Sequence, residues 1–104
     1  MTKRGGRTNR PDRHAAAEAL AVAALAFIAD EPERLGRFLA MSGIGPDSIR
    51  AAARQPQFLL GVLDYLAADE PLLIAFAAEN AIRPNAVMEA RDTIAGRRWE
   101  RETP

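Results

Sequence analysis

The chain repeats itself imperfectly at an offset of 38 residues. Leu25–Ala29 reappears as Leu63–Ala67, and Asp30-Glu31-Pro32 reappears as Asp69-Glu70-Pro71, slipped by one residue. The same offset aligns further pairs, which are Phe38 with Phe76, Ile44 with Ile82, Pro46 with Pro84, Asp47 with Asn85, and Ile49 with Val87. Each copy reads as helix, acidic-proline junction, helix, Ile-x-Pro junction and helix. Because such copies can cover each other's apolar faces, the repeat predicts two pseudo-symmetric three-helix halves.

Six of the seven prolines stand where a helix would begin. Proline inside a helix costs about 3 kcal/mol, whereas at the first helical position it costs almost nothing. The predicted helices open at Pro11, Pro32, Pro46, Pro56, Pro71 and Pro84, and the last is expected to end at Gly96. The fourth is apolar around most of its circumference and is predicted to be central. Alanine, the strongest helix former, supplies 22 of 104 residues, so we predict a compact all-α bundle of about six short helices.

The charge pattern divides the chain into a leader, a body and a tail. Residues 1–10 are predicted to be a disordered basic leader, 11–96 a single helical domain, and 97–104 a frayed C-terminal tail. Residues 1–13 carry one lysine and four arginines against one acid, whereas 14–90 carry five arginines against ten carboxylates. The leader is either a solvated tail or an electrostatic arm for nucleic acid or anionic lipid.

Composition disfavours several classes of protein. The chain has no cysteine, which excludes disulfides, thiol chemistry and the usual zinc sites and fits a reducing compartment. The apolar run 19–29 is bracketed by Glu18 and Asp30 and lacks a signal-peptide cleavage site. No apolar stretch reaches the length needed to span a bilayer. We therefore expect a cytoplasmic protein without a membrane partner.

Ser42-Gly43-Ile44-Gly45-Pro46 is the candidate for a phosphate contact. Preceded by Phe38 and followed by Ile49, this turn resembles the hairpin of tandem helix-hairpin-helix motifs. The resemblance implies that backbone N–H groups at Gly43 and Gly45 contact a nucleic-acid phosphate. Four arginines are a candidate basic patch near this turn, or they pair on the surface with the acids Glu31, Glu33 and Asp47; they are Arg34, Arg37, Arg50 and Arg54. The second copy lacks both glycines, and Asp47 stands beside the expected phosphate. A glycine helix cap followed by a proline helix start is the architectural alternative.

Residues suited to catalysis are scarce. His14 is the only histidine, and we expect it to be exposed and without a role. The acidic pairs Asp30-Glu31 and Asp69-Glu70 each precede a proline, where capping of the next helix explains them better than a metal site does. No nucleophile elbow and no glycine-rich loop with lysine occurs. We expect a non-enzymatic protein with no catalytic residues, no metal and no cofactor.

Two features favour contact with a partner protein or a second copy of the chain. Leu60 and Leu63 fall outside the main apolar stripe of the fourth helix, which predicts an apolar surface there. Trp99 stands beside Arg98 in the polar tail, and both residue types are enriched at interface hot spots. Trp99 either contacts a partner or packs on its own domain.

The segments Phe27–Leu39 and Gly43–Asp47 resemble a small bacterial family of uncharacterised all-helical proteins, a domain of unknown function. Phe58–Leu66 and Leu72–Ala77 extend the resemblance over about residues 14–95. It implies a short all-helical protein and no activity or ligand. We predict a protein-interaction module; the alternative is a sequence-independent binder of the nucleic-acid backbone.

Overall fold

The computed structural model describes the backbone of residues 9–102 and the side chains of residues 13–96. Its elements are α1 (Asn9–Ala29), α2 (Pro32–Ser42), a 3-10 helix (Pro46–Ser48), α3 (Ile49–Ala52), α4 (Pro56–Ala67), α5 (Glu70–Glu79) and α6 (Pro84–Glu102). This part of the chain contains no strand. The all-α class with about six helices is confirmed. The predicted leader lies outside the described residues, except that residues 9 and 10 belong to α1.

Prolines mark the helix starts, as the sequence predicts. Proline is the first residue of α2, the 3-10 helix, α4 and α6, the second of α5 and the third of α1. The residues before α2 and α4, Glu31 and Gln55, are extended, with φ of −120° and −96°. Proline imposes this conformation on the residue before it, so each proline ends one segment and opens the next.

The two acidic junctions contact the helices that follow them in different ways. Before α5, the Asp69 carboxylate accepts a hydrogen bond from the Leu72 N–H at 3.2 Å. Before α2, Glu31 makes no such bond and instead pairs with Arg34 at 3.5 Å. The capping interpretation is confirmed for Asp69, while Glu31 contributes an ion pair across the first turn of α2.

The last helix ends later than predicted. Gly96 was expected to end it, but α6 continues to Glu102. Glycine inside a helix costs only about 1 kcal/mol relative to alanine, and the arginines and glutamates after it favour helix. The next proline is Pro104, which lies beyond the end of the helix. The predicted end at Gly96 is therefore wrong; the side chains of residues 97–104 lie outside the described residues.

The core is formed where α1, α4 and α6 pack together. The prediction that the fourth helix is central is confirmed, since α4 buries Leu59, Val62, Leu63 and Leu66. Half of the residues that α1 buries are alanines, at positions 17, 21 and 24, and the other half are Leu25, Phe27 and Ile28. Alanine at i, i+4 and i+7 keeps one face of the helix smooth, so α1 can lie close to its neighbours.

The outer helices α2 and α5 each bury one phenylalanine in the core. Phe38 on α2 is 3% exposed and Phe76 on α5 is fully buried, and the repeat aligns these two residues. The third elements of the two copies differ, because α3 spans only four residues and buries none, whereas α6 spans nineteen. Pseudo-symmetry of the two halves stays a prediction.

Both turns that follow the outer helices contain a left-handed residue. Gly43 has φ of 75° and Ala81 has φ of 55°, and the repeat offset aligns these two positions. A side chain at positive φ brings Cβ close to the backbone, so alanine is strained there by about 1 kcal/mol while glycine is not. The second turn therefore keeps the backbone of the first without its glycine.

This difference predicts opposite effects for two reciprocal substitutions. Ala81→Gly is expected to raise the free energy of unfolding by about 0.5–1 kcal/mol, and Gly43→Ala to lower it by about 1 kcal/mol. A Cβ at Gly43 would have open space around it, so the loss comes from the backbone conformation. Urea unfolding followed by circular dichroism measures both. Equal stabilities of wild type and Gly43→Ala would contradict the left-handed turn.

Candidate functional site

An apolar groove of about 430 Å³ lies between the C-terminal half of α2, the turn after it, and α4. From α2 and the turn come Phe38, Met41, Ser42 and Ile44. From α4 and the residue that follows it come Gln57, Phe58, Gly61, Asp64, Tyr65 and Ala68. We call this surface the α2–α4 groove. Most of the side chains that line it are apolar.

Three aromatic rings form the floor of the groove. Phe38 meets Phe58 with 5.8 Å between ring centroids and Tyr65 with 5.2 Å, both edge to face. Such pairs contribute about 0.5–1.5 kcal/mol beyond the area they bury. Phe58 and Tyr65 lie two turns apart on α4, while Phe38 projects from α2 between them. The contacts of Phe38 with the other two rings therefore restrict the orientations of all three side chains.

Met41 and Gly61 leave the groove accessible from solvent. Met41 is 75% exposed although it borders an apolar surface. At Gly61 an added Cβ would meet nothing within 4 Å, so the groove is not obstructed in the middle of α4. A flexible methionine beside an unobstructed helix face can adapt to differently shaped apolar ligands.

Ser42 fixes the turn that closes one end of the groove. Its hydroxyl donates to the Leu39 carbonyl and accepts from the Ile44 N–H, both at 3.3 Å. The Gly43 N–H donates to the same Leu39 carbonyl at 2.9 Å. These bonds hold Ile44 in place, and they occupy the Gly43 N–H group that the predicted phosphate contact would use.

Asp64 is the one charged residue among those that line the groove, and it binds Arg91 of α6. Arg91 also lies 3.3 Å from Asp92. The hydrogen bond to Asp64, followed by the charge of that carboxylate, raises the pKa of Arg91 above its ordinary value. Both side chains are about one third to one half exposed, so water screens the pair and its contribution to stability is small. Its effect is to join α4 to α6 beside the groove.

The residues predicted to contact phosphate all lie on the surface. Gly43, Gly45, Arg50 and Arg54 are all exposed. Of the four arginines expected to pair with acids in this region, Arg34 and Arg37 do so, with Glu31 and Glu33. Within the described residues Arg50 and Arg54 form no ion pair. The predicted basic patch is therefore reduced to these two arginines.

Arg34 has a structural contact that the sequence did not indicate. Its guanidinium lies 4.2 Å from the centre of the Phe27 ring, and its side chain is only 15% exposed. The two residues belong to different helices across the acidic junction, so no helical spacing signals the contact. It adds a cation–π interaction where α1 meets α2.

The residues predicted to contact a partner do not form the groove. Leu60 is half-buried and packs against the core, and Leu63 is fully buried. The side chains of Trp99 and Arg98 lie outside the described residues. The groove residues Met41, Gly61 and Tyr65 were missed, because only the crossing of α2 and α4 brings them together.

The remaining candidates for catalysis or metal binding are His14 and the acidic side chains. His14 is half-buried in α1 rather than exposed. No group of three or more histidine, cysteine, aspartate or glutamate side chains that could hold a metal ion occurs among the described residues. Over the same residues, no helix combines the length and apolar character that crossing a bilayer requires.

One comparison with known proteins gives a match. The model of a family described as "Protein of unknown function (DUF3572)" matches residues 14–97. No curated protein and no solved structure matches the chain significantly. The matched range contains the whole α2–α4 groove and starts within α1.

Proposed function

We infer that this chain, which belongs to the DUF3572 family, is a protein-interaction module that binds a partner segment in the α2–α4 groove. The observation that carries the inference is an apolar groove with an aromatic floor and a largely exposed methionine on its rim. Exposed apolar surface of this kind is removed from water when a partner binds, which supplies the driving force. The module has no catalytic activity of its own in this proposal.

The shape of the groove favours a helical segment as its occupant. The lining positions Gln57, Gly61, Tyr65 and Ala68 follow one another at intervals of three or four residues. They form a stripe along α4 that is about 16 Å long, or three helical turns. An amphipathic helix presents its apolar anchors at the same intervals, so it can place one anchor in each turn of the stripe.

A location in the cytoplasm is part of the proposal. The chain has no cysteine, which suits a reducing compartment. Cell fractionation checks this location, and recovery of the protein outside the cytoplasmic fraction would contradict it.

The second candidate function is binding to the nucleic-acid backbone. It is supported by two exposed arginines, Arg50 and Arg54, that have no ion pair among the described residues. Opposing it, the Gly43 and Ile44 N–H groups are used inside the turn. Binding of this kind would weaken strongly with salt and would not depend on base sequence.

Blocking the groove is expected to abolish partner binding without unfolding the domain. Gly61→Gln places a long polar side chain on the open face of α4 and favours helix, so we expect partner capture to fall at least about tenfold. Capture is measured in cells by ultraviolet crosslinking from p-benzoylphenylalanine at position 41, with mass spectrometry of the product. The purified proteins are also titrated with a DNA duplex at low salt.

Gly36→Gln is the matched control, because Gly36 is also helical with open space at Cβ but lies outside the groove. It should crosslink as the wild type does. A crosslinked product that survives Gly61→Gln unchanged would contradict the groove as the binding surface. DNA binding that Gly61→Gln leaves intact and that Arg50→Ala with Arg54→Ala removes would favour the second candidate.

A further inference from the structure

The two ends of α4 carry side chains of opposite charge. Arg54 lies two residues before Pro56, is exposed, and forms no ion pair among the described residues. At the other end, Asp69 and Glu70 directly follow Ala68, the last residue lining the groove. Both acids are exposed. The groove therefore runs from a basic end beside Gln57 to an acidic end beside Ala68.

The backbone of α4 strengthens this difference in charge. Its first turn contains no acid and its last turn no base, so no side chain on the helix neutralises the partial charges at its termini. The positive end of the dipole coincides with Arg54 and the negative end with the two acids. At the acidic end, Asp64 is already bound to Arg91 and the Asp69 carboxylate caps α5, which leaves Glu70 as the acid most available to a ligand.

We propose that the segment bound in the α2–α4 groove is an amphipathic helix of about three turns with charges of opposite sign at its ends. Its acidic end lies beside Arg54 and its basic end beside Asp69 and Glu70. Apolar side chains between these ends occupy the groove, with the largest one over Gly61, where no Cβ obstructs it. This inference rests on the proposed function and specifies the partner of the same site.

Charge complementarity decides between this occupant and a purely apolar one. Opposite charges at both ends attract the correct partner in one orientation relative to the groove, and the reversed helix places like charges together at both ends. An apolar stripe of three turns has no such preference, because its anchors repeat almost identically in either direction. The order of charges therefore supplies specificity that the aromatic floor does not.

A displayed library of helical peptides tests the inference. Peptides of about 15 residues are selected on the wild-type protein, with excess soluble Gly61→Gln protein present to remove peptides that bind elsewhere. We expect enriched peptides to carry large apolar residues at intervals of three or four, an acid at one end and a base at the other. Binding of an enriched peptide is then measured by fluorescence anisotropy at low salt.

Charge reversal on the protein identifies which end is which. Arg54→Glu and Glu70→Lys are each expected to weaken the affinity for the enriched peptide about fivefold, and this loss of affinity should diminish as the salt concentration is raised. Arg83→Glu and Glu79→Lys are the controls, because both residues are exposed and lie at the junction of α5 and α6, two helices that contribute no residue to the groove. These two variants should bind as the wild type does.

The possible failures are distinguishable. Enriched peptides without ordered charges, or equal binding by Arg54→Glu and Arg83→Glu, would overturn this inference and leave the proposed function standing. A selection that yields nothing specific to the unblocked groove would overturn both. Wild-type protein that dimerises in sedimentation while Gly61→Gln stays monomeric would assign the groove to a second copy of the chain and overturn the inference.

Discussion

Phe76→Ala is expected to lower the free energy of unfolding by about 3–5 kcal/mol. Phe76 is the largest of the fully buried side chains in the described part of the chain. Its ring meets Phe27 edge to face with 5.4 Å between centroids. Truncation removes buried apolar area and this ring contact, and it leaves a cavity that packed helices fill only partly. Since the free energy of unfolding of a small domain is about 5–15 kcal/mol, the variant loses a large part of its stability.

Urea unfolding followed by far-ultraviolet circular dichroism measures this loss. Ile74→Ala is the matched control, because Ile74 lies on the same helix and is 51% exposed. Its effect should stay within about 0.5 kcal/mol. If the two variants were equally stable, the packing of α5 on the core through Phe76 would be wrong.

Ala21→Leu is expected to lower the free energy of unfolding by about 1–3 kcal/mol, although it adds an apolar side chain. Leucine nearly equals alanine in helix propensity and buries more apolar area, so these two properties alone would predict no loss of stability. Ala21, however, is fully buried on the face of α1 that contacts α4 and α6. The extra atoms have to push α1 away from its neighbours or adopt strained rotamers, and both cost free energy.

Differential scanning calorimetry compares this variant with Ala26→Leu. Ala26 lies in the same helix but is exposed, so its substitution is expected to change stability by less than about 0.5 kcal/mol. A higher unfolding temperature for Ala21→Leu than for wild type would show that the interface has room for the larger side chain. The close approach of α1 would then be wrong.

The core and the groove lie on different sides of α4 in the packing of the helices. Ala17, Ala21 and Ala24 form a stripe of small side chains on α1, and Phe27 of the same helix packs against Phe76 of α5. Phe58 and Tyr65 project from α4 towards α2, where Phe38 packs against both rings. Because α2 ends at Ser42, it covers these rings incompletely and the groove remains open.

Local features of the sequence were sufficient to predict the helices. Pro32, Pro46, Pro56 and Pro84 each begin a helix, and Asp69 caps α5. These signals act within one turn of the chain, so they do not depend on the rest of the fold. Gly96 was misjudged because glycine only weakens a helix, and the favourable residues after it carry α6 onward.

The candidate site was not predictable in the same way. Leu60 was predicted to form an exposed apolar surface because it departs from the stripe on α4, yet it packs against the core. Met41 carried no such signal and is 75% exposed. Whether an apolar side chain is covered depends on residues distant in sequence, whereas helical periodicity describes only the faces of the one helix in which it occurs.

By itself the sequence determined that this chain is helical and where its helices begin, because proline starts, acidic caps and abundant alanine act on neighbouring backbone groups. Only the tertiary structure decided that Phe38, Phe58 and Tyr65 share one floor and that Met41 and Gly61 leave it open. That surface exists because α2 crosses α4 and stops short of covering it. The angle and extent of a crossing come from how whole faces pack, which short-range propensities do not specify.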